Sequence, residues 1–552
     1  MSPTRVLRPA KVRPRPLAEL LPAEGRLTEA GPDGGAPAAE VTVTGVTHDS
    51  RSVQPGDLYA ALPGARVHGA QFIPQAAEAG ATAVLTDEAG ADAAVEAGLP
   101  AMVVVEPRAA LGGVAAAVYG DPTEQLTVVG ITGTNGKTTT AYLIEAGLRA
   151  AGHSTGLLGT VETRLAGEVL PSARTTPEAT DLQALLAVAV ERGVTSVVME
   201  VSSHALALGR VEGVRFETGV FTNLGEDHLD FHADIEEYFA AKARLFDGRC
   251  AYAVVNVDDE AGRRLVGPTT VTVSPSGADG AHWRVVDRVA DRSGQTFRLL
   301  GPAGEALAGG VAMPGPYNVD NAALAVVTLT TLGVEPAAAA AAVAAADPVP
   351  GRMEQVRIEP WTDQENEPAG GFDGPRPSDN GRGIAGVQAA RDGGGEPRAG
   401  DEVLAVVDYA HDPLSVAAAL AALRPITVGR LICVLGCGGD RDTGKRPLMG
   451  AAAARGSDVF IATDDNPRSE EPWAIRAAML AGVTAVPADE RGEIVEVGDR
   501  RSAIAEAVRR SEPGDTVAVL GKGHEQGQEV GTVVHPFDDR EVLAAALREV
   551  YG

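Results

Sequence analysis

Residues 127–140 read Thr-Val-Val-Gly-Ile-Thr-Gly-Thr-Asn-Gly-Lys-Thr-Thr-Thr, and no other stretch constrains the chain as tightly. Residues 127–132 are a short β-branched run of the kind that fills a buried strand. Gly133, Asn135 and Gly136 follow as a tight turn, and a helix-period pattern begins at residues 141–151. A glycine turn between a strand and a helix N-terminus aims several backbone N–H groups at one point, where the helix dipole adds positive potential. That point suits a phosphate. Gly133, Thr134, Asn135, Gly136, Lys137, Thr138 and Thr139 are therefore the candidate nucleotide loop. Lys137 supplies a point charge for the β/γ-phosphates and the Thr138 hydroxyl a ligand for Mg²⁺. Ile131 stands where the usual phosphate loop has its first glycine, which narrows the class of loop.

The chain has 552 residues, so length predicts about three or four domains. With 47 basic and 75 acidic residues the net charge is −28. Such a surface repels nucleic acid and anionic membranes, so an anionic ligand needs a local basic or N–H-lined pocket. Three cysteines (Cys250, Cys433 and Cys437) make neither a disulfide framework nor a zinc set and read as buried thiols in a reducing compartment. Arg5, Arg8, Lys11, Arg13 and Arg15 are interrupted by prolines and lack an apolar run, which excludes a signal peptide. No apolar run spans a bilayer. The expected protein is cytoplasmic, not inserted in a membrane, without a nucleic-acid partner, and monomeric.

The fold class expected is α/β in three domains. Residues 1–40 read as a flexible tail and linker with one short helix at 17–21. Residues 41–125 alternate strands (41–46, 83–86, 102–106) with helices (72–79, 91–97) and form a small α/β domain that closes at the turn cluster 119–123. Residues 126–348 hold further strands at 196–201, 219–222 and 253–257 between helices, which predicts a mostly parallel, doubly wound sheet. Within them, 270–310 reads as an edge β-subdomain, a helix starts after 314–318, and an alanine-rich helix covers 337–346. Residues 349–552 form a third, Rossmann-like α/β domain with strands at 355–359, 403–408, 431–435, 459–463 and 516–520. Between the first two of these, residues 360–402 are rich in Gly, Pro, Asp and Arg and poor in apolar side chains, so they read as a disordered insertion.

In open α/β sheets ligands bind beyond the carboxyl ends of the strands. Here those ends carry the polar residues: Glu200, Ser202, Ser203 and His204 after one strand; Asn223, Asp227, His228 and Asp230 after the next. Three strand ends converging on one edge of a sheet point to a nucleotide with a hard divalent cation, for which carboxylate and hydroxyl ligands are suited. Lys242 reads, on its own, as a helix-surface lysine.

The stretches Gly133-Thr-Asn-Gly-Lys-Thr-Thr139, Glu200-Val-Ser-Ser-His204, Asn223-Leu-Gly-Glu-Asp-His-Leu-Asp230, Asn318 with Asn321, Gly351-Arg-Met-Glu354 and Asp408-Tyr-Ala-His411 together resemble the Mur ligases. Cys437-Gly-Gly-Asp-Arg-Asp442, Asp465-Asn-Pro-Arg468 and Gly521-Lys-Gly-His-Glu525 look like the branch of that family that adds diaminopimelate. The likeness runs from about residue 41 to the C-terminus, apart from residues 360–402. It implies ATP-driven amide formation on UDP-MurNAc-L-Ala-D-Glu through an acyl phosphate, with ATP and two Mg²⁺ ions.

By motif match Thr138 and Glu200 hold one Mg²⁺ and His228 the second, and Lys242 falls at the position that the family carbamylates. The resemblance implies that Lys137, Lys242 and His228 are the catalytic group. Asn318, Asn321, Arg352, Asp408 and His411 join the loop in binding ATP. The small first domain receives the UDP end through His48, Ser50, Ala65, Arg66 and Val67, while Thr175, Thr176, Ser202 and Arg210 receive the muramoyl-peptide side. Arg174 and Leu208 sit where some relatives carry Asn and Gln, and those two contacts are not carried over. Arg441, Asp465, Asn466, Pro467, Arg468, Gly521 and Glu525 form the amino-acid site. Diaminopimelate exceeds lysine by one carboxylate, which an arginine grips bidentately. The alternatives are a lysine-adding ligase, a folylpolyglutamate synthetase-like ligase, and a phosphate-loop switch that hydrolyses ATP regardless of any amino acid.

Overall fold

The structure is a computed structural model that describes residues 7–30, 36–64, 66–170, 174–225, 227–228, 231–357 and 402–552. Ala65, Asp230 and the expected insertion up to residue 401 lie outside the described residues. The chain divides into two units, residues 1–312 with 316–349 and residues 313–315 with 350–552.

The first unit contains two large sheets. The smaller runs in the order Arg26–Thr28, Ala101–Val103, Ala83–Thr86, Asp57–Ala60, Gly45–Thr47, parallel except for its first member. The expected single strand at 41–46 is two. Thr42–Val43 pairs with Arg15–Pro16, and Gly45–Thr47 joins the sheet, where a Cβ at Gly45 would meet Asp57 Oδ1 at 2.3 Å. Residues 7–28 correct the expectation of a loose tail. Leu17 and Leu20 are buried in the core of this sheet, and Arg26–Thr28 forms its edge. Arg8 also reaches the buried Asp57 carboxylate at 2.5 Å, supplying the cation that a buried carboxylate needs. A helix at Pro107–Val118, absent from the sequence expectation, covers this core.

The larger sheet runs Glu168–Leu170, Thr163–Leu165, Thr155–Leu158, Ser196–Glu200, Thr127–Thr132, Phe216–Phe221, Cys250–Asn256, Thr270–Ser274, Trp283–Asp291, Gly294–Leu300, Ala306–Val311. Its middle is parallel and both edges are antiparallel hairpins. The residues expected as an edge β-subdomain lie at one edge of the main sheet and continue its ladder. The strand Thr270–Ser274 bonds directly to Cys250–Asn256 and carries the ladder outward. The chain leaves Thr127–Thr132 through the helix Lys137–Ala150 toward one side, whereas Phe216–Phe221 lies on the other. The strand order thus reverses beside the phosphate loop, where such sheets open a crevice. The helix expected after 314–318 begins at Pro316, whose fixed φ and missing N–H suit a first helical turn, so Asn318 and Asn321 lie inside it.

The second unit is built on one sheet in the order Glu354–Gln355, Leu404–Asp408, Thr516–Leu520, Leu431–Leu435, Val459–Ala462, Glu493–Glu496, parallel apart from its first strand. The two outer strands Glu354–Gln355 and Glu493–Glu496 are short. The first occupies only the start of the expected 355–359, of which 358–359 lie outside the described residues. A further hairpin, Gly527–Val530 with Val533–Pro536, carries no apolar alternation strong enough to have been read as strands.

Candidate functional site

The phosphate loop is tied to the next strand end by its own backbone. Thr134 N donates to Asn223 O and Asn135 N to Asn223 Oδ1, both at 2.9 Å, while Thr222 Oγ1 donates to Asn135 O at 2.6 Å. Gly133 (φ +149°) and Gly136 (φ +85°) admit no side chain. A Cβ would meet Thr222 Oγ1 at 1.9 Å and Asn321 Oδ1 at 2.3 Å respectively. Lys137 Nζ donates to Gly133 O at 3.0 Å and Thr134 O at 2.8 Å, so its ammonium stays over the turn. Asn321 Oδ1 accepts from Thr140 Oγ1 at 3.3 Å, and Asn321 Nδ2 donates to Asn318 Oδ1 at 3.3 Å, which sets both asparagines against the first turn of the loop's helix. Thr139 is buried in that turn.

Glu200, 1% exposed at the end of Ser196–Glu200, faces the same helix N-terminus. Its two oxygens accept from Thr138 Oγ1, and it also accepts from Thr160 N at 2.7 Å and Thr160 Oγ1 at 3.2 Å. Thr160 carries no signal of this role in the sequence, because the strand Thr155–Leu158 that delivers it is only four residues long. The donor set of hydroxyl and carboxylate oxygens beside a phosphate loop fits Mg²⁺, which takes one or two protein oxygens and completes its shell with phosphates and water. Among the described residues no three His, Cys, Asp and Glu side chains gather into a metal cage.

His228 (φ +55°) takes its backbone N–H to Asp227 Oδ1 at 2.8 Å, and its ring packs edge-on to His204 with centroids 4.8 Å apart. Tyr238, 6.1 Å from the His228 ring, links this group to the loop through a 3.2 Å hydrogen bond with Thr134 Oγ1. Lys242 corrects its reading as a surface lysine. It is 1% exposed, stacks over the Tyr238 ring at 4.1 Å and donates to Gly133 O at 2.8 Å. Burial holds its ammonium well below the usual lysine range, and the charge of Lys137 pushes the same way against the weaker pull of Asp227. The helix pattern of Ile235–Ala243 gave no sign of this, since the alanines flanking Lys242 are equally compatible with an exposed face.

Thr175, Thr176, Ser202 and Arg210 are gathered on the far side of Glu200. Thr176 Oγ1 donates to Glu200 O at 2.8 Å and accepts from Ser202 N at 3.2 Å, Thr175 meets Thr160 at 3.0 Å, and Arg210 reaches Thr176 O at 3.4 Å and Glu178 at 2.9 Å. Arg174 also pairs with Glu178. His48 Nδ1 lies 3.1 Å from Thr180 Oγ1 on the helix that follows this motif, and Ser50 donates to Gln75 Oε1 at 3.1 Å. Arg66 and Val67 are solvent-exposed.

In the second unit Asp408, at the end of its strand, accepts from Met353 N at 2.7 Å and Ala410 N at 2.8 Å. Burial raises its pKa while Arg352 opposes the rise. The Arg352 guanidinium lies 4.5 Å over the Tyr409 ring, and His411 Nδ1 is 2.8 Å from Tyr409 O. Beyond the ends of Val459–Ala462 and Thr516–Leu520, two strands separated by Leu431–Leu435, the stretch 465–468 meets Gly521 and Glu525. Asn466 Nδ2 donates to Glu525 Oε2 at 2.8 Å, and buried Lys522 donates to Asn466 Oδ1 and Glu525 Oε2, both at 2.9 Å. A Cβ at Gly521 would meet Asp465 Oδ2 at 2.9 Å. Arg441 is exposed. Burial pushes the Cys433 and Cys437 thiols up to about 12, which leaves both unreactive, and Cys437 packs on Met449.

A doubly wound sheet with a phosphate loop, a carboxylate–hydroxyl pair beside it and a second α/β unit with an arginine-bearing strand end defines a nucleotide-dependent class of enzyme. Three family models match: the Mur ligase family catalytic domain over residues 42–119, the Mur ligase middle domain over 131–329 and the glutamate ligase domain over 396–523. The chain belongs to the Mur ligase family. It is 52% identical over 549 residues to the UDP-N-acetylmuramoyl-L-alanyl-D-glutamate–2,6-diaminopimelate ligase of Streptomyces coelicolor, with 99% of both chains covered. It is 51% identical over 549 residues to the ligase of the same name from Streptomyces avermitilis, again with 99% of both covered. A solved structure of a UDP-N-acetylmuramoyl-L-alanyl-D-glutamate–2,6-diaminopimelate ligase superposes with a TM-score of 0.66 at 29% identity, covering 98% of this chain and 100% of that one. No helix among the described residues is long and apolar enough to cross a membrane.

Proposed function

We propose that the chain joins an amine of 2,6-diaminopimelate to the D-glutamate γ-carboxylate of UDP-MurNAc-L-Ala-D-Glu, in the synthesis of peptidoglycan precursors in the cytoplasm. ATP is consumed. Its γ-phosphoryl group passes to the carboxylate to give an acyl phosphate; the amine adds to the acyl carbon, and phosphate leaves as the C–N bond is kept. ADP and phosphate are the other products.

Phosphoryl transfer needs positioning and charge neutralisation more than covalent help. The N–H groups of residues 133–139 and the ammonium of Lys137 would hold the phosphates, with Asn318 and Asn321 beside them; the family resemblance adds Arg352, Asp408 and His411 as nucleotide contacts. Thr138 and Glu200 would hold one Mg²⁺ and His228 the second; bound there, the ions neutralise phosphate charge. Lys242, whose charged form burial disfavours, would add CO₂ as its neutral amine to give a carbamate, losing one proton from nitrogen and placing an anion at that position. Thr175, Thr176, Ser202 and Arg210 would orient the dipeptide, and His48, Ser50 and the loop 65–67 the UDP end.

Arg468 is the observation that carries the choice of amino acid. It follows Val459–Ala462 in the stretch whose Asn466 bonds to Glu525, where a guanidinium can take the distal carboxylate that lysine lacks. ATP consumption with UDP-MurNAc-L-Ala-D-Glu against meso-diaminopimelate, LL-diaminopimelate and lysine tests the reading. ADP release should require diaminopimelate. Equal turnover with lysine, or ATP hydrolysis indifferent to the amino acid, would overturn it.

A further inference from the structure

We propose that Glu529 is a positioning residue for Arg468, and that the hairpin Gly527–Val530/Val533–Pro536 completes recognition of the amino acid's distal carboxylate. This rests on the functional reading above. None of the sequence motifs includes the hairpin, yet its backbone and the arginine are stitched together. Arg468 N donates to Glu529 O at 3.0 Å, Gly531 N donates to Arg468 O at 2.7 Å, and Arg468 forms a parallel bridge with Val530. Those bonds hold Arg468 in the left-handed region (φ +53°), a conformation that a non-glycine residue keeps only when its surroundings impose it.

The side chain is held as firmly as the backbone. Arg468 Nε donates to Glu529 Oε2 at 2.8 Å and Nη1 donates to Gly439 O at 2.6 Å, on opposite edges of the guanidinium. Gly439 is itself fixed: its N–H bonds to Asn466 O at 2.8 Å, and a Cβ there would meet Pro467 O at 1.9 Å. A guanidinium has five N–H donors in one plane. With one edge on Glu529 and one on Gly439, the plane is set and the end of the fork, Nη1 with Nη2, points to a bidentate carboxylate. Glu529 also reaches the neighbouring contact residue, since its N–H donates to Asn466 Oδ1 at 3.0 Å. One hairpin residue therefore orders both Arg468 and Asn466 before substrate arrives, and an arginine already in place loses less freedom on binding.

The test uses the full-length enzyme and two variants, Glu529→Ala and Glu529→Gln, with steady-state KM and kcat for diaminopimelate, ATP and lysine, and Tm as a check on folding. In Glu529→Ala the KM for diaminopimelate should rise about tenfold while kcat and the KM for ATP stay within about twofold. Any residual turnover with lysine should not change, because lysine brings nothing to the fork. Glu529→Gln, whose amide oxygen still accepts from Nε–H, should recover most of the loss. An unchanged or lower KM for diaminopimelate in Glu529→Ala overturns the proposal, as does a uniform loss of every parameter with Tm in both variants. If wild type fails to prefer diaminopimelate over lysine, the functional reading itself is wrong. If wild type discriminates and Glu529→Ala discriminates equally, only the role of Glu529 is.

Discussion

Thr138 Oγ1 lies 3.0 Å from each carboxylate oxygen of Glu200, in a buried setting between the first turn of one helix and the end of the neighbouring strand. Two elements 62 residues apart in the chain thus present three hard oxygens to one spot beside the phosphate loop. Glu200→Gln keeps the shape and removes the charge. It should lower kcat by about 100-fold or more, as loss of a charge-stabilising group does, and raise the Mg²⁺ concentration needed for half-maximal rate. A Mg²⁺ titration of initial rates checks this; an unshifted midpoint would refute the assignment.

Lys242 is expected to lower stability while serving activity. Its folded pKa is depressed, so the unfolded chain holds a proton that the folded chain gives up. The resulting loss of stability is full below the depressed value, shrinks as pH rises, and vanishes above the ordinary 10.5. Lys242→Met should accordingly be more stable than wild type near neutral pH, by about 1–3 kcal/mol, with the gap closing toward alkaline pH. Ligase activity should be lost. Urea midpoints across a pH series in CO₂-free buffer measure the gap, and a gap independent of pH would contradict it.

Arg468→Lys keeps the positive charge but loses the planar fork. Its kcat/KM for diaminopimelate should fall about 100-fold, with the KM for ATP unchanged. Steady-state kinetics with both substrates varied decide the matter; retention of full selectivity over lysine would show that a point charge suffices.

Arg500 and Asp539 are both fully buried and paired through two bonds of 2.7 and 2.6 Å, and Arg500 also donates to Leu520 O at 2.9 Å. The guanidinium thereby braces the strand end from which Gly521 and Glu525 emerge. Asp539→Asn leaves a buried guanidinium without its counter-charge and should destabilise the protein by roughly 3–5 kcal/mol. Denaturant unfolding measures it, and a change under about 1 kcal/mol would mean that water or backbone had taken over the partner's role.

The α/β class, the strands at 83–86, 431–435 and 516–520, and the phosphate loop were readable because apolar β-branched runs and glycine turns are local signals. Other features are decided by partners remote in sequence. Arg15–Pro16 and Arg26–Thr28 become strands only because Val43 and Met102 offer ladders. The hairpin at 527–536 shows no period-2 apolar pattern, so its backbone bonds to Arg468 leave no trace in the sequence.

By itself the sequence determined which chemical groups sit at which strand ends, since a strand followed by a glycine turn dictates where the next side chains emerge. The tertiary structure alone decided their surroundings. Lys242 is buried rather than exposed, Glu200 is met by Thr160 as well as Thr138, and Arg468 is oriented by Glu529. The reason is physical: burial, desolvation and hydrogen-bond geometry arise from atoms brought close by the fold, and spacing along the chain carries no record of them.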